Sequence, residues 1–271
     1  METIFASSNQ YVSAIKIIRI SGPKAKNIPE IFNFGKTKAS KFQIRQLKVN
    51  KNIIDTIPVL WLPGPNTYTG EDMYELHIHG AISIEKKIYD ILLKKKFMIA
   101  DRGEFTKRAV LNGKIDLTQA EAINDVINSE TEKQLELANK NLGGNLKRKL
   151  YNWRQQIIKL SSNIEALIDF SDEEIPTNLE NFFLENLDIL INDIKKELKF
   201  NNYSQSLKNG FIVSIVGAPN VGKSSLINRI LNQDISIVTN IPGTTRDLIE
   251  TKINLKGFPV YFIDTAGIRK T

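Results

Sequence analysis

One nine-residue segment, residues 217–225, constrains the fold of this chain more than any other feature. It reads Gly-Ala-Pro-Asn-Val-Gly-Lys-Ser-Ser and completes the phosphate-loop pattern G-x-x-x-x-G-K-S/T. The β-branched run before it, residues 211–216, predicts a strand, and the apolar spacing of residues 226–231 predicts a helix after it. Backbone N–H groups of such a loop, with the N-terminus of its helix, bind phosphate oxygens. The segment therefore predicts a site for a nucleoside triphosphate.

Two further elements follow the phosphate loop in the order expected of a nucleotide hydrolase. Residues 243–247 resemble a first switch, in which Thr245 joins Ser224 as a magnesium ligand. Residues 264–267 have the D-x-x-G pattern and follow an apolar strand, which places Asp264 near the metal. The alternative is a glycine turn that only joins a strand to a helix, and it does not account for this order.

The nucleotide domain is incomplete in this sequence. About sixty residues follow Phe211, whereas a domain of this type has a sheet of roughly six strands and on the order of 150 residues. No N-K-x-D element, which reads guanine, follows the phosphate loop. We therefore expect a partial P-loop α/β domain with three strands, and a parent protein that continues past Thr271.

Composition sets outer limits on function. A chain of 271 residues with 41% hydrophobic content has room for two or three domains. No apolar run approaches the roughly twenty residues that span a bilayer, and no secretory signal opens the sequence. We therefore expect a cytoplasmic protein with no membrane partner, or one inside an organelle if a transit peptide is missing from this sequence. Cysteine is absent, which excludes disulfides and thiolate chemistry. A net charge of +7 is compatible with an anionic partner such as RNA.

Three segments with different patterns predict three domains. Residues 1–117 alternate strand-like runs, such as residues 14–20 and 56–61, with Gly- and Pro-rich turns, and so predict a compact α+β domain. Residues 118–209 have a helical pattern, and residues 210–271 begin the nucleotide-binding domain.

Two apolar stripes run through the helical segment. The first consists of Leu146, Leu150, Trp153, Ile157, Leu160, Ile164 and Leu167. The second consists of Phe183, Leu187, Leu190, Ile194 and Leu198. Such stripes are typical of the core of a helical bundle, and Gly143-Gly144 is expected to separate two of its helices.

A strand in the first domain carries both histidines of the chain. In residues 74–79 the apolar side chains are predicted to share one face, and Glu75, His77 and His79 the other. Three interpretations of this polar face are open. It is a zinc site with Glu75 as an oxygen ligand, a solvated sheet face, or a pocket in which Glu75 accepts hydrogen bonds from a heterocycle.

A series of short motifs precedes the phosphate loop. They are residues 18–22 (IRISG), 68–72 (YTGED), 75–76 with 79–80 (EL and HG), 103–106 (GEFT), 111–117 with 119–122 (LNGKIDL and QAEA), and 169–170 with 172–175 (DF and DEEI). Together with the phosphate loop they closely resemble the MnmE or TrmE family of tRNA modification GTPases. The resemblance covers essentially the whole chain. As fold, it implies an α+β N-terminal folate-binding domain, a central helical bundle and the start of a P-loop α/β G domain.

For the N-terminal domain, the resemblance implies a homodimer that binds 5-formyltetrahydrofolate. Arg19, Glu75 and Lys114 stand at the positions of the folate contacts. Arginine and lysine are suited to the carboxylates of the ligand, and Glu75 to the hydrogen-bond donors of the pterin ring. This assignment disfavours the zinc interpretation.

For the nucleotide domain, the resemblance implies GTP, Mg²⁺ and K⁺ as cofactors. The GTP-binding positions are Asn220, Val221, Gly222, Lys223, Ser224, Ser225, Thr239, Asn240, Ile241, Pro242, Gly243, Thr244, Thr245, Asp264, Thr265, Ala266 and Gly267. Among them, Ser224 and Thr245 are the expected magnesium ligands, and Asn220, Thr239, Ile241 and Thr244 the expected potassium ligands. Potassium supplies there the positive charge that an arginine finger supplies in other GTPases.

The chain departs from the family pattern in three respects. Residues 8–13 replace a glycine-rich segment, and Ala81 stands where a second glycine is usual. The catalytic glutamate, the guanine-reading element and the terminal cysteine motif of the family fall beyond Thr271. We therefore expect this chain, as given, to hydrolyse GTP inefficiently.

The function implied by the resemblance is modification of tRNA. With a flavin-dependent partner protein, the parent protein forms the carboxymethylaminomethyl or aminomethyl group at carbon 5 of the wobble uridine, using GTP hydrolysis and a folate-derived carbon. One alternative is an RNA-binding GTPase of ribosome assembly, which fits the charge and the phosphate loop equally well. Another is an inactive remnant of the modification enzyme that retains folate binding and dimerisation.

Overall fold

The computed structural model describes residues 2–9, 11–169, 178–216, 229 and 249–264. The chain divides into two compact units, Met1–Ala120 and Glu121–Thr271. The division into domains at residues 117 and 209 stays a prediction. No helix in the described part of the chain is both long enough and apolar enough to cross a membrane.

The first unit is built on a six-stranded sheet. Its strands are β1 (Ile4–Ser7), β2 (Ile15–Ser21), β3 (Phe42–Val49), β4 (Asn52–Leu62), β5 (Met73–His79) and β6 (Met98–Ile99). Their order across the sheet is β3-β4-β5-β2-β1-β6. Neighbouring strands are antiparallel except β1 and β6, which are parallel. The strands predicted at residues 14–20 and 56–61 are confirmed as β2 and β4.

One face of this sheet forms the core of the unit. The helical elements are a 3-10 helix (Ala25–Asn27), α1 (Ile28–Ile31), α2 (Ile82–Lys94) and α3 (Glu104–Leu111). Fully buried side chains from β2, β5 and α2 pack together, among them Ile18, Ile20, Leu76, Ile88 and Leu92. Because side chains alternate along a strand, Arg19, Glu75 and His77 lie on the opposite face, together with apolar residues such as Ile17 and Phe42.

A buried ion pair joins the central strand β2 to α2. The side chain of Lys16 is completely buried, and its Nζ lies 2.6 Å from Oε2 of Glu85. A buried ammonium group requires such a partner, because burial without one leaves its charge unsolvated. The pair therefore fixes α2 against the sheet in addition to the apolar contacts.

The second unit contains the long helices. They are α4 (Leu117–Ile127), which begins at the boundary between the units, α5 (Glu132–Leu142), α6 (Asn145–Asp169) and α7 (Asn178–Asn209). The two glycines predicted to separate helices lie between α5 and α6, as expected. Helix α5 begins with a capping box formed by Thr131 and Gln134. The amide of Gln134 also donates to the carbonyl oxygens of Leu207 and Lys208, at 3.0 and 3.1 Å, near the end of α7.

The predicted bundle core is only partly correct. Leu160 and Leu190 are buried, at 8% and 3% exposure, but Leu150, Ile157 and Leu198 are 44%, 50% and 59% exposed. Among the described residues α6 packs on α5 and α7. An apolar stripe on a helix spans at least about 100° of its circumference, and these partners cover only part of it. The rest of each stripe therefore faces outward in the described residues.

A second, three-stranded sheet lies in the second unit. Its strands are β7 (Phe211–Ile215), β8 (Ile249–Leu255) and β9 (Phe258–Asp264), in the order β7-β9-β8. Strands β7 and β9 are parallel, and β8 is antiparallel to β9. The strands predicted before the phosphate loop and before the D-x-x-G pattern are thus confirmed. The α+β domain, the helical segment and the partial α/β sheet are the fold class that the sequence predicted.

Polar contacts attach this sheet to the start of α5. Glu130 forms an ion pair with Lys252 of β8, and the hydroxyl of Tyr261 in β9 donates to the same carboxylate at 3.4 Å. Nζ of Lys133 lies 3.7 Å from the ring centroid of Phe258. Burial alone lowers the pKa of Lys252, but its hydrogen bond to Glu130 and the proximity of Tyr261 outweigh burial, and the pKa is raised.

The contact between Gly80 and Ser13 generates a testable prediction. A Cβ atom at Gly80 would lie 2.1 Å from the carbonyl oxygen of Ser13, so even alanine forces the backbone at the start of β2 away from the end of β5. We expect Gly80→Ala to lower the free energy of unfolding by about 1–3 kcal/mol, the usual cost of overpacking. Urea denaturation followed by circular dichroism measures this loss.

Gly35→Ala is the matched control, because a Cβ atom there has no neighbour within 4 Å. We expect it to leave stability unchanged or slightly raised. Equal stability of the two variants would contradict the close approach at Gly80.

Candidate functional site

The polar face of the first sheet carries an arginine–glutamate pair. Arg19 of β2 and Glu75 of β5 are directly opposite each other in the strand register. Nε of Arg19 donates to Oε1 of Glu75 at 2.9 Å, and Nη2 lies 2.9 Å from the same oxygen. Two of the three expected folate contacts, Arg19 and Glu75, are therefore adjacent. The pair engages only Oε1 of the carboxylate, and Oε2 receives no hydrogen bond from Arg19.

Two aromatic side chains lie beside the guanidinium group of Arg19. Its Cζ is 5.9 Å from the ring centroid of Tyr68 and 6.0 Å from that of Phe105. These distances are within the range of cation–π attraction. Tyr68 comes from the loop between β4 and β5, and Phe105 from the first turn of α3. The hydroxyls of Tyr68 and Thr106 are hydrogen-bonded at 2.8 Å, which links the loop to the helix.

A buried arginine holds this loop and this helix together. Nη1 of Arg108 donates to the two carboxylate oxygens of Glu71, at 3.2 and 3.0 Å, and to the carbonyl oxygen of Glu2 at 2.8 Å. Nη2 and Nε donate to Oε1 of Glu104, at 2.9 and 3.3 Å. Ser21 donates to Oε2 of Glu71 at 2.7 Å. The aromatic residues beside Arg19 therefore lie on segments that Arg108 cross-links.

The two histidines of β5 have different surroundings. Nε2 of His77 is buried, has no hydrogen-bond partner, and lies 3.4 Å from Oε2 of Glu75. Its ring meets Phe42 edge-on, with the centroids 5.1 Å apart. Nδ1 of His79 lies 2.8 Å from Oδ1 of the buried Asp55. The predicted polar face of β5 is confirmed, and its histidines point to different carboxylates.

This geometry separates the three interpretations of the polar face. Across the described residues, no group of three His, Asp or Glu side chains is arranged to hold a metal ion. Glu75 and His77 are largely buried, with 12% and 17% side-chain exposure, so they do not form a solvated face. The pocket interpretation fits best, because Nε2 of His77 is a buried polar atom without a hydrogen bond in the described residues, and Oε2 of Glu75 beside it receives none from Arg19.

Lys114 lies between α3 and α4 and contacts the loop between β4 and β5. Its Nζ donates to the carbonyl oxygen of Pro65 at 3.0 Å, and the side chain is exposed. Asn112 nearby donates to the carbonyl oxygen of Thr69 at 2.6 Å. In the described part of the chain no hydrogen bond or ion pair connects Lys114 to Arg19 or Glu75. The structure brings two of the three expected folate contacts together, and the third, Lys114, contacts the β4–β5 loop through the carbonyl oxygen of Pro65.

These residues fit a folate. A pterin ring is flat and carries N–H donors, which match aromatic side chains and a carboxylate oxygen that is free to accept. The glutamate tail of a folate is anionic and requires a cation, which Arg19 or Lys114 supplies.

Most expected GTP-binding positions lie outside the described residues. These are Asn220, Val221, Gly222, Lys223, Ser224, Ser225, Thr239, Asn240, Ile241, Pro242, Gly243, Thr244, Thr245, Thr265, Ala266 and Gly267, together with all the expected magnesium and potassium ligands. Asp264 is described as the last residue of β9, where it pairs in register with Ile215 of β7. The sequence of the phosphate loop begins two residues after Ile215. In parallel sheets, ligands bind at the carboxyl ends of the strands.

Sequence reasoning missed the residues that shape the first site. Tyr68 and Phe105 belong to motifs that carried the family resemblance, yet nothing in the sequence places their rings beside Arg19. Arg108 gave no signal at all, because a single arginine in a helix is usually exposed.

Family models match both parts of the chain. A model described as "GTP-binding protein TrmE N-terminus" matches residues 3–114. A second model, "MnmE helical domain", matches residues 117–264, which is more than half of the sequence. This chain belongs to the MnmE family.

Curated MnmE proteins are similar to this chain along its whole length. "tRNA modification GTPase MnmE" of Rickettsia rickettsii (strain Sheila Smith) is 42% identical over 275 aligned residues, which cover 100% of this chain and 62% of that protein. The protein of the same name from Clostridioides difficile (strain 630) is 43% identical, over 95% of this chain and 58% of its own length. The chain therefore spans about 62% of the length of such MnmE relatives.

The Arg108 network generates a prediction about stability. Arg108→Met keeps much of the side-chain volume but leaves the partly buried carboxylates of Glu71 and Glu104, which are 13% and 22% exposed, without their cation. We expect a loss of about 3 kcal/mol in the free energy of unfolding, the lower end of the range for a broken buried ion pair, because solvent reaches both carboxylates. Urea denaturation measures the loss. Lys140→Met removes an exposed pair with Glu136 and serves as control, with little change expected.

The same network predicts a pH dependence through Glu104. Burial alone raises the pKa of this carboxyl, but the N–H of Asp101 and the guanidinium of Arg108 lower it by more, to below its ordinary value of 4.5. The unfolded chain therefore binds a proton more readily, and the stability that ionised Glu104 contributes is lost as pH falls through its folded-state pKa.

We expect the stability difference between the wild type and Glu104→Gln to be largest at neutral pH. It should shrink below pH 4.5, as measured by urea denaturation across a pH series. A difference that stays constant down to strongly acidic pH would contradict the role of the ionised carboxylate.

Proposed function

We propose that this chain is part of a cytoplasmic tRNA-modification GTPase. In this proposal a homodimer acts on tRNA together with a flavin-dependent partner protein. The product is a carboxymethylaminomethyl or aminomethyl group at carbon 5 of the wobble uridine. Support comes from the match to the family and from its relatives, whose name is "tRNA modification GTPase MnmE".

The first unit is proposed to bind 5-formyltetrahydrofolate, which would supply a one-carbon unit when bound. Glu75 accepts hydrogen bonds from the pterin through Oε2, the carboxylate oxygen that Arg19 leaves free. Arg19 and Lys114 are the cations for the carboxylates of the ligand. Tyr68 and Phe105 lie at cation–π distance from the guanidinium group, and the Arg19 side chain is 41% exposed, so an anionic ligand can reach it.

The second unit is proposed to bind and hydrolyse GTP. Lys223 contacts the β and γ phosphates, Ser224 and Thr245 hold Mg²⁺, and Asn220, with Thr239, Ile241 and Thr244, holds K⁺. These roles rest on the sequence motifs. The paired carboxyl ends of β7 and β9 support them, because the phosphate loop follows one strand and Asp264 ends the other.

One observation carries the proposal. A single chain combines a largely buried Glu75 carboxylate, paired through one oxygen with an arginine that lies beside two aromatic rings, with a phosphate-loop sequence that directly follows a parallel strand. An RNA-binding GTPase of ribosome assembly requires the phosphate loop, but it does not require the Glu75 site. Folate binding therefore distinguishes the two functions.

The first test measures binding by the full chain. We expect calorimetric titration to show binding of 5-formyltetrahydrofolate, and at least about tenfold weaker binding by Arg19→Ala, which loses a charged partner. Binding of a fluorescent GTP analogue should be stronger in potassium chloride than in sodium chloride and should be lost in Lys223→Ala. Lys87→Ala, at an exposed position of α2, is the control for both ligands.

The second test measures the product in cells. Mass spectrometry of tRNA from cells without this protein should show loss of the modified wobble uridine. Normal modification in such cells would contradict the proposal. Binding of GTP without folate would favour the assembly GTPase, and binding of folate with no effect on tRNA would favour an inactive remnant.

A further inference from the structure

One buried polar atom in the candidate folate pocket has no role in the function proposed above. Nε2 of His77 has essentially no exposure to solvent and no hydrogen-bond partner in the described residues. Leaving such an atom unsatisfied is costly, so buried polar atoms in native proteins nearly always have a partner. A ligand bound beside this atom would supply it with a partner.

The surroundings of His77 limit where this partner comes from. The residue directly opposite in β2 is Ile17, and Phe42 packs against the ring from the β3 side. Both are apolar. The nearest polar atom among the described contacts is Oε2 of Glu75, at 3.4 Å, which is longer than a normal hydrogen bond. A ligand that hydrogen-bonds to Oε2 of Glu75 will therefore also lie close to Nε2 of His77.

The neighbouring carboxylate determines where His77 carries its proton. A neutral imidazole has one N–H group and one lone pair, and the tautomer depends on the environment of each nitrogen. A lone pair on Nε2 would face the negative Oε2 of Glu75, whereas an N–H group is attracted to it. Nε2 of His77 therefore carries hydrogen. The pocket presents an acceptor and a donor side by side, 3.4 Å apart.

This arrangement is complementary to one edge of a pterin. A 2-amino-4-oxopyrimidine ring has an N–H donor at N3 directly beside the acceptor oxygen at position 4. We propose that His77 donates a hydrogen bond from Nε2 to the 4-oxo oxygen while Glu75 accepts one from N3–H. This inference rests on the folate binding proposed above. His77 is then a residue that determines ligand specificity, and it selects 4-oxo over 4-amino pterins.

The selectivity has a simple physical origin. A 4-amino group would place its own N–H donors against the N–H of His77, and both donors would remain unsatisfied. Sites that hydrogen-bond a particular group reject analogues without it far more strongly than apolar pockets reject a change of size. Glu75 also favours the 4-oxo ring, because only that form has a hydrogen on N3. The contribution of His77 is therefore measured as the change in selectivity on its replacement.

The experiment titrates the full chain with two ligands. They are 5-formyltetrahydrofolate and its 4-amino-4-deoxy analogue, which differ in the group at position 4 and, as a result, in the hydrogen on N3. We expect His77→Leu to weaken binding of the 4-oxo ligand by about tenfold, to leave the 4-amino ligand nearly unchanged, and so to reduce selectivity about tenfold. His77→Gln retains an N–H donor and should keep most of the selectivity.

His79→Leu is the matched control. It replaces the other histidine of β5, whose side chain is 69% exposed and bonded to Asp55 instead of facing Glu75. We expect it to leave the selectivity at the wild-type value. Circular dichroism checks that each variant is folded.

The outcomes separate the two levels of the proposal. If the wild type binds no 5-formyltetrahydrofolate, folate binding is wrong, and the role of His77 falls with it. If the wild type binds it and His77→Leu has wild-type selectivity, only the role of His77 is wrong. If His77→Leu does not fold, ¹⁵N NMR of the wild type tests whether Nε2 of His77 binds the 4-oxo group. The resonance of Nε2 of His77 should shift with the 4-oxo ligand and much less with the 4-amino ligand, and equal shifts would overturn the proposal.

Discussion

The guanidinium group of Arg108 is the interaction on which the geometry of the first unit depends. Three separate segments reach the same buried cation: the first residues of the chain, the loop between β4 and β5, and the start of α3. A planar group with five donors is suited to this task, because it satisfies several acceptors at fixed angles. Lysine has one point of charge and could not replace it. The rings beside Arg19 are positioned as a consequence, although neither touches Arg108 in the contacts described.

Much of the first unit was predictable because it follows from local rules. The alternation of β5 predicts Glu75, His77 and His79 on one face, and the structure agrees. The family resemblance named Arg19 and Glu75 as folate contacts, but it did not predict that they pair with each other. Its aromatic surroundings did not follow from anything local, because Tyr68 and Phe105 are brought together by a loop closure that no periodicity encodes. The zinc interpretation failed for a related reason, since His79 turns to Asp55 on a neighbouring strand.

In the second unit, the sequence patterns predict the helices and strands more accurately than they predict which side chains are buried. The spacing of apolar residues indicated long helices, and α6 and α7 are present. Burial depends on which partners are available, and periodicity does not contain that information. Ile157 and Leu198 continue their stripes correctly and are still half exposed or more. The strands β7 and β9 were predicted from short apolar runs, and their parallel pairing agrees with the motif order. The expected nucleotide and metal ligands between them stay predictions.

Strand β5 has a consequence for how this protein can change over evolutionary time. Glu75 and His77 lie on the side of the candidate pocket, and the even-numbered residues of the strand, Tyr74, Leu76 and Ile78, are completely buried in the core. A deletion of one codon within the strand would exchange the two sets, because the side-chain period is two. Glu75 would then be forced among apolar groups while Tyr74 faced the ligand. Point substitutions can therefore tune the pocket independently of the core, but length changes in this strand disrupt both at once.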